Sequence, residues 1–293
     1  MAHRRSRELD YLVIGHVTRD LLPDGEFAIG GTATYAARTA QAVGCRVGVI
    51  TSADVQLELE AALPHVALLR IPASTTTTFE NRITRSGRVQ MVQTVARCLM
   101  LKDVPMDWRQ AGIVHLGPVV QECDPALALA FGDSFLGLTP QGWMRRWNCH
   151  GRIYSAPWTS ADRLLPHADA VVLSEEDLAG DEGIVARWAT MTPVLVLTRG
   201  ARGCTVFAEG EVRDVPGFPA AETDPTGAGD IFAAIFFTAL AQGLEPWESA
   251  QLANAVAAIS VTRAGLGSIP TPAELLGCRA RLRNWTSSRQ RCQ

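Results

Sequence analysis

Two spacings of apolar residues alternate along the chain. Short runs with few polar interruptions, 11–15 (YLVIG), 46–51 (RVGVIT), 113–116, 135–139, 170–173 and 194–198, have the length and β-branched content of strands covered on both faces. Between them, 32–43, 54–63, 161–165 and 182–189 have the apolar period of amphipathic helices. The C-terminal third predicts helices at 230–242 and 246–263, with Gly243 as a C-cap and Pro246 in a first turn, and a third helix after Thr271-Pro272. Strands alternating with helices predict a doubly wound α/β sheet. One segment breaks the pattern: 75–97 (TTTTFENRITRSGRVQMVQTVAR) alternates polar and apolar side chains around Ser86-Gly87, which predicts an antiparallel flap attached to the main sheet.

Composition narrows the function without selecting one. A chain of 293 residues, 47% hydrophobic with a formal net charge of −3, predicts one large α/β domain spanning 1–293. The one basic cluster, at 3–7, is short and has no interleaved aromatics, so no nucleic-acid partner is expected. Apolar stretches fall short of the ~20 residues of a membrane helix, and the N-terminus has no leader-like apolar core, so a cytoplasmic location is expected. The seven cysteines are odd in number and widely spread, with no CxxC pair, and predict free, mostly buried thiols and no Cys/His metal site. His115, inside the apolar run IVHLGPVV, is expected to be a satisfied strand residue.

Candidate chemistry concentrates at 222–237 (ETDPTGAGDIFAAIFF). Gly227, Ala228 and Gly229 leave their backbone N–H groups unscreened where a helix begins, a place suited to receiving phosphate charge. Asp230 stands beside that anion site, where a carboxylate can take the proton of a hydroxyl attacking a phosphate. There is no GxxxxGK[ST] loop, and no GxGxxG follows the first strand, which argues against a dinucleotide-binding oxidoreductase.

The string DPTGAGD followed by a small-residue apolar helix resembles the C-terminal signature of the ribokinase-like (PfkB) carbohydrate kinases. That resemblance implies a ribokinase-like α/β fold, a mostly parallel sheet flanked by helices, with a small antiparallel β lid drawn from about 16–30 and 75–97. It implies an ATP-dependent phosphotransferase acting on a sugar or polyol, with Asp230 as base and Gly227, Ala228 and Gly229 as anion hole. On the acceptor side it places Asp20 and the di-glycine Gly30-Gly31, with Asn81 and Gln141 as further hydrogen-bonding groups. On the donor side LTRGARGCTVF resembles the nucleotide strand and turn, placing Thr198, Gly200 and Gly203 near phosphates and ribose, and QLANAVAAISVTRAGLGSIPT places Asn254 and Ala257 at the adenine. Carbonyls around Asp224, Thr226 and the 264–268 loop are where a monovalent cation such as K⁺ is expected.

Several positions depart from the family pattern. In place of Asn-x-x-Glu, which organises Mg²⁺, stands Ser174-Glu175-Glu176-Asp177, so Glu176 and Asp177 are expected near Mg²⁺ through its waters. Tyr35 replaces a frequent Asn, and Thr139-Pro140-Gln141 with Arg145 beyond replaces the Asp-x-Asn strand end. IGGTATYAA, TTTTFEN and DPTGAGD together are more similar to the myo-inositol kinase branch than to the ribokinases, which makes a cyclic polyol the expected acceptor. A nucleoside kinase of the same fold and a non-catalytic sugar or nucleotide sensor are the alternatives. Monomer and homodimer are both compatible with the lid strands.

Overall fold

The uninterrupted apolar runs become strands whose alternate residues face two separate apolar layers. A computed structural model describes residues 7–84, 87–178 and 180–290. In chain order the elements are β1 (Tyr11–Ile14), β2 (Thr18–Leu21), β3 (Phe27–Gly30), α1 (Thr32–Val43), β4 (Val47–Asp54), β5 (Ala67–Ala73), β6 (Thr78–Thr84), β7 (Gly87–Thr94), β8 (Ile113–Leu116) and β9 (Phe135–Leu138). There follow β10 (Arg145–Trp147), β11 (Ile153–Ser155), α2 (Ala161–Leu164), β12 (Ala170–Ser174), α3 (Gly183–Ala189), β13 (Val194–Thr198), β14 (Gly203–Ala208), β15 (Glu211–Pro216), α4 (Ala228–Ala241), α5 (Pro246–Ser260) and α6 (Pro272–Gln290). The large sheet has the order β15-β14-β13-β12-β9-β8-β1-β4-β5. Its pairs are parallel except β13/β14 and β14/β15, so the expected mostly parallel α/β sheet is present.

Period two along β1 sorts the layers. Tyr11 and Val13 join the layer made with α1, α4 and α5, whereas Leu12 and Ile14 join the opposite one, where α2, α3 and several 3-10 turns pack. α4 is apolar nearly all round and correspondingly buried, with Ile231, Phe232, Ile235, Phe236 and Phe237 sealed in the core. Each such side chain contributes roughly 1.5–3 kcal/mol. That burial anchors the helix whose first turn carries Asp230.

A second sheet, β3-β2-β6-β7, forms the lid expected from 16–30 and 75–97. β2 pairs antiparallel with β3 and parallel with β6, and β6 pairs antiparallel with β7. The predicted turn residue Ser86 lies outside the described residues, as do residues 3–6 of the basic cluster and Cys292. The hairpin β10–β11 lies under the lid, where the Val92 amide donates to the Gly151 carbonyl (2.8 Å).

The helix expected at 54–63 is not formed. β4 runs on to Asp54, and the chain then turns, with Leu59 and Leu63 tucked into the core. The Asp54 carboxylate takes the Gln56 amide (2.9 Å), while from α1 Arg38 donates to the Ala62 carbonyl (2.9 Å) and Gln41 to the Pro64 carbonyl (2.6 Å). Neighbouring side chains thus satisfy backbone groups that a helix would have paired internally. His115 is the satisfied strand residue expected, held between the Tyr11 hydroxyl (3.0 Å) and Thr139 Oγ1 (2.9 Å). Cys123, Cys204 and Cys278 are buried free thiols, but Cys98 and Cys149 are exposed.

Candidate active site

Sheets of this kind bind ligands beyond the C-terminal ends of their strands, where the strand order reverses. Here the reversal lies between β1 and β8, and the segments after β1, β8, β9, β12 and β13 converge beneath the lid. The cavity there measures about 860 Å³. Its walls include Asp20, Gly31, Gln141, Glu176, Asp177, Thr198, Gly200, Gly203, Gly227, Ala228, Gly229, Asp230, Asn254 and Ala257. All of these had been singled out from sequence.

Asp230 projects from the first turn of α4. Enclosure by protein pushes its pKa up to about 6, against the lowering effect of a hydrogen bond from Thr32 and of the Arg145 charge. The turn before it owes its shape to Gly227, at φ 79°. A Cβ there would stand 2.4 Å from the Tyr35 ring, so the ring lies flat beneath the loop and no larger residue fits. The Ala228 amide is taken by the Pro225 carbonyl (3.1 Å) and the Gly227 carbonyl accepts the Ile231 amide (2.9 Å), whereas among the described residues the amides of Gly227 and Gly229 have no backbone acceptor in a neighbouring turn. The anion-binding capacity of the helix start therefore rests on Gly227 and Gly229 more than on Ala228.

At the lid end of the cavity, Asp20 sits on β2 opposite β3. A Cβ on Gly30 would meet its carboxylate at 2.3 Å, so Gly30 stays behind Asp20, outside the cavity lining, and makes room for it. Asn81 is exposed farther out on β6 and does not line the cavity. Its partner across the pair, Gln90 on β7, does. Gln141 lines the cavity, yet its amide donates to Asp177 (3.3 Å).

Asp177 also accepts from the Ser174 amide (3.0 Å). Burial raises its pKa, opposed by those hydrogen bonds and by the Arg145 charge. Glu175 is paired with Arg199 (3.3 Å) and with Arg202, while Glu176 is exposed at the rim. Among the described residues there is no cluster of three or more His, Cys, Asp or Glu able to cage a metal. The donor set suits Mg²⁺, an ion that keeps several waters and phosphate oxygens and touches carboxylates sparingly.

At the other end, β13 ends at Thr198, and the turn between Gly200 and Gly203 brings the chain back as β14. Asn254 on α5 is buried, its amide donating to the Val215 (3.1 Å) and Pro216 (3.3 Å) carbonyls. It fixes the strand end against which Ala257 and Ala258 leave space. Asp224 joins the two loops expected to offer cation-binding carbonyls, accepting from the Thr226 (2.9 Å) and Gly265 (3.3 Å) amides.

Sequence reasoning passed over Thr32, which holds Asp230, and Tyr154, which lines the cavity from β11. A hydroxyl just after a di-glycine was a usable signal for Thr32. Tyr154 left none, because its position depends on the β10–β11 pairing.

Residues 150–274 match the pfkB family carbohydrate kinase model. Over those residues the chain is similar to the pfkB family carbohydrate kinases. Among curated proteins, this chain is 30% identical over 143 residues to fructokinase-1 of Zea mays, covering 46% of this chain and 44% of that one. It is 36% identical over 104 residues to inositol 3-kinase of Oryza sativa subsp. japonica, covering 36% and 25%. The aligned part thus spans less than half the length of either relative. The fold is that of the ribokinase family. A pyrophosphate-dependent kinase of that family, complexed with a pyrophosphate analog and myo-inositol, superposes with a TM-score of 0.76 at 20% identity over 92% of this chain and 99% of its own. Ribokinase of Arabidopsis thaliana, complexed with ribose and ATP, gives 0.71 at 18% identity over 92% and 98%. No described helix is long and apolar enough to cross a membrane.

Proposed function

We propose that the protein transfers a phosphoryl group from Mg·ATP to a hydroxyl of a neutral polyol, myo-inositol or a close cyclic relative being the best candidate. The observation that carries this reading is the position of Asp230 on one cavity whose lining reaches from Asp20 and Phe79 under the lid to Gly200, Asn254 and Ala257. The acceptor hydroxyl gives its proton to the Asp230 carboxylate as its oxygen bonds to the terminal phosphorus, and the bond to the leaving diphosphate breaks. Gly227 and Gly229 face the developing phosphoryl charge, and the Arg145 guanidinium, whose charge acts on both Asp230 and Asp177, helps to balance it. Glu176 and Asp177 would hold Mg²⁺ through its waters, and the ion would neutralise donor phosphate charge there. The loops joined by Asp224 would hold a monovalent cation.

Small residues support a nucleotide donor over bare pyrophosphate. Gly200, Ala201, Gly203, Ala220, Ala257 and Ala258 line this part of the cavity with small residues, over which a flat ring can lie close to the backbone. Arg145 is the one cation among the described lining residues, too few for an unassisted pyrophosphate. The acceptor assignment draws on the inositol 3-kinase and myo-inositol-bound relatives.

The test is product formation by the purified chain with ATP or pyrophosphate as donor, across myo-inositol, other polyols, ketoses, ribose and nucleosides. Asp230→Asn serves as the blank and is expected to lower turnover on the order of 10²-fold or more. Faster phosphorylation of ribose or a nucleoside than of any cyclic polyol would overturn the acceptor assignment, and an unaltered rate in Asp230→Asn would overturn the mechanism.

A further inference from the structure

The lid joins the body of the molecule at four places. The chain enters it after β1, returns from β3 into α1, re-enters before β6 and leaves after β7. One residue touches all four. His16, fully buried, is the first residue beyond Gly15 on the way into β2. Its Nδ1 lies 2.7 Å from the Thr77 hydroxyl, at the root of β6, and its Nε2 lies 2.9 Å from the Arg97 carbonyl, beyond the end of β7. A carbonyl only accepts, so Nε2 carries the proton and the Thr77 hydroxyl donates to Nδ1. Thr77 Oγ1 in turn accepts the Ala96 amide (2.9 Å), closing the two roots of the hairpin on each other. At the fourth crossing, Gly31, at φ 87°, presses so closely on the His16 carbonyl that a Cβ would stand 2.4 Å from it.

The backbone of His16 is held as well. The buried Glu122 carboxylate accepts the His16 amide (3.0 Å) together with the amides of Val119 (2.9 Å) and Val120 (2.7 Å), fixing the end of β1 to the segment after β8. His16, Thr77, Arg97 and Glu122 do not line the cavity, but the residues beside them do: Thr18 and Asp20 follow His16 on β2, Phe79 follows Thr77 on β6, Val119 shares Glu122, and Gly31 precedes α1.

We infer that His16, seated on Glu122, is a positioning residue that locks both lid hairpins to the sheet and so sets where Asp20 and Phe79 meet the acceptor. It touches neither substrate nor reacting atoms. Its loss frees the lid roots while leaving the donor side and Asp230 in place. The consequence for catalysis rests on the polyol kinase reading, but the mechanical claim does not.

Two measurements on the full chain test it. In hydrogen–deuterium exchange, His16→Ala should speed exchange of peptides covering 77–79 and 94–97 by about tenfold or more, as expected for lost hydrogen bonds at a local opening, with β13 and α4 unchanged. Thr77→Val, which removes only a hydroxyl, should do the same, and His16→Gln, whose amide can reach the Arg97 carbonyl, should restore part of the protection. In steady-state kinetics with myo-inositol, the acceptor KM should rise about tenfold with the ATP KM unchanged. Unaltered exchange at the lid roots, or acceleration spread evenly over β13 and α4, overturns the inference. A wild-type protein that turns over no polyol overturns the kinase reading alone, and the exchange measurement still decides the role of His16.

Discussion

A carboxylate whose pKa burial pushes up to about 6 is still ionised at neutral pH but is a better proton acceptor than a solvated aspartate. Two consequences belong to this one residue. The acid limb of kcat/KM against pH should fall with a midpoint near 6. Arg145 lowers that pKa, so in Arg145→Leu the limb should move to higher pH, which a rate profile between pH 5 and 8 measures. The second consequence concerns stability. A folded pKa above the unfolded value of 3.8 means the folded state holds the proton more tightly, so the advantage is complete below 3.8 and is lost as pH rises through about 6. Asp230→Asn should therefore be more stable than the wild type at pH 7.5, by roughly 1–2 kcal/mol because the carboxylate faces an open cavity. The difference should shrink through pH 6 and vanish near 4, as urea midpoints at several pH values would reveal. A stabilised but inactive variant is what a strained base predicts.

Elements carry a different kind of pH dependence. Tyr11 on β1, His115 on β8 and Thr139 just past β9 form one hydrogen-bonded chain across three adjacent strands, and the Phe237 ring of α4 closes on the imidazole edge-to-face at 5.0 Å. Burial lowers the His115 pKa to about 3. The unfolded chain takes up this proton near 6.5 while the folded one refuses it, so stability is present above 6.5 and is lost progressively as pH falls towards 3, by up to about 1.4 kcal/mol per unit. His115→Leu should be less stable at pH 7.5, leaving the Tyr11 and Thr139 hydroxyls unpaired, but its stability should fall less steeply between pH 6 and 4. The strands themselves were legible because apolar runs bounded by glycine have one economical reading, and DPTGAGD announced a turn and helix start with its carboxylate. The 54–63 segment was not, since Leu59 and Leu63 have helical spacing, and the Asp54 carboxylate together with Arg38 and Gln41 from α1 takes backbone groups that a helix would have paired. Asn81 misled for a related reason: alternation puts it on the same strand face as Phe79, but how far the lid overhangs the cavity is a tertiary fact. The lid pin at His16 was equally hidden, for its partners Thr77, Arg97 and Glu122 lie 61, 81 and 106 residues away.

At the scale of the whole molecule, what distinguishes the site is charge. The formal net charge of −3 is small for 293 residues, but among the described lining residues the cavity sets Asp20, Glu175, Glu176, Asp177, Glu222 and Asp230 against one guanidinium, that of Arg145. Glu175 is answered by Arg199 and Arg202 from outside the lining, which still leaves the potential within strongly negative. A donor carrying several phosphate charges can enter such a space when cations accompany it, so activity should be abolished by chelation of divalent ions and restored by Mg²⁺. An acceptor brings no cation of its own. A sugar phosphate or sugar acid would have to leave its anion beside Asp20 with no basic partner, a like-charge contact that costs discrimination rather than binding energy alone. On the proposed reading neutral polyols would meet the opposite situation, because Asp20 would accept from their hydroxyls without opposing charge. Paired kinetics with a polyol and its own monophosphate or carboxylate should show kcat/KM lower for the anion by about 10²-fold or more, with the ATP KM unaffected. Equal rates for the pair would mean that the acceptor does not lie against Asp20, and would move the acceptor site away from the lid.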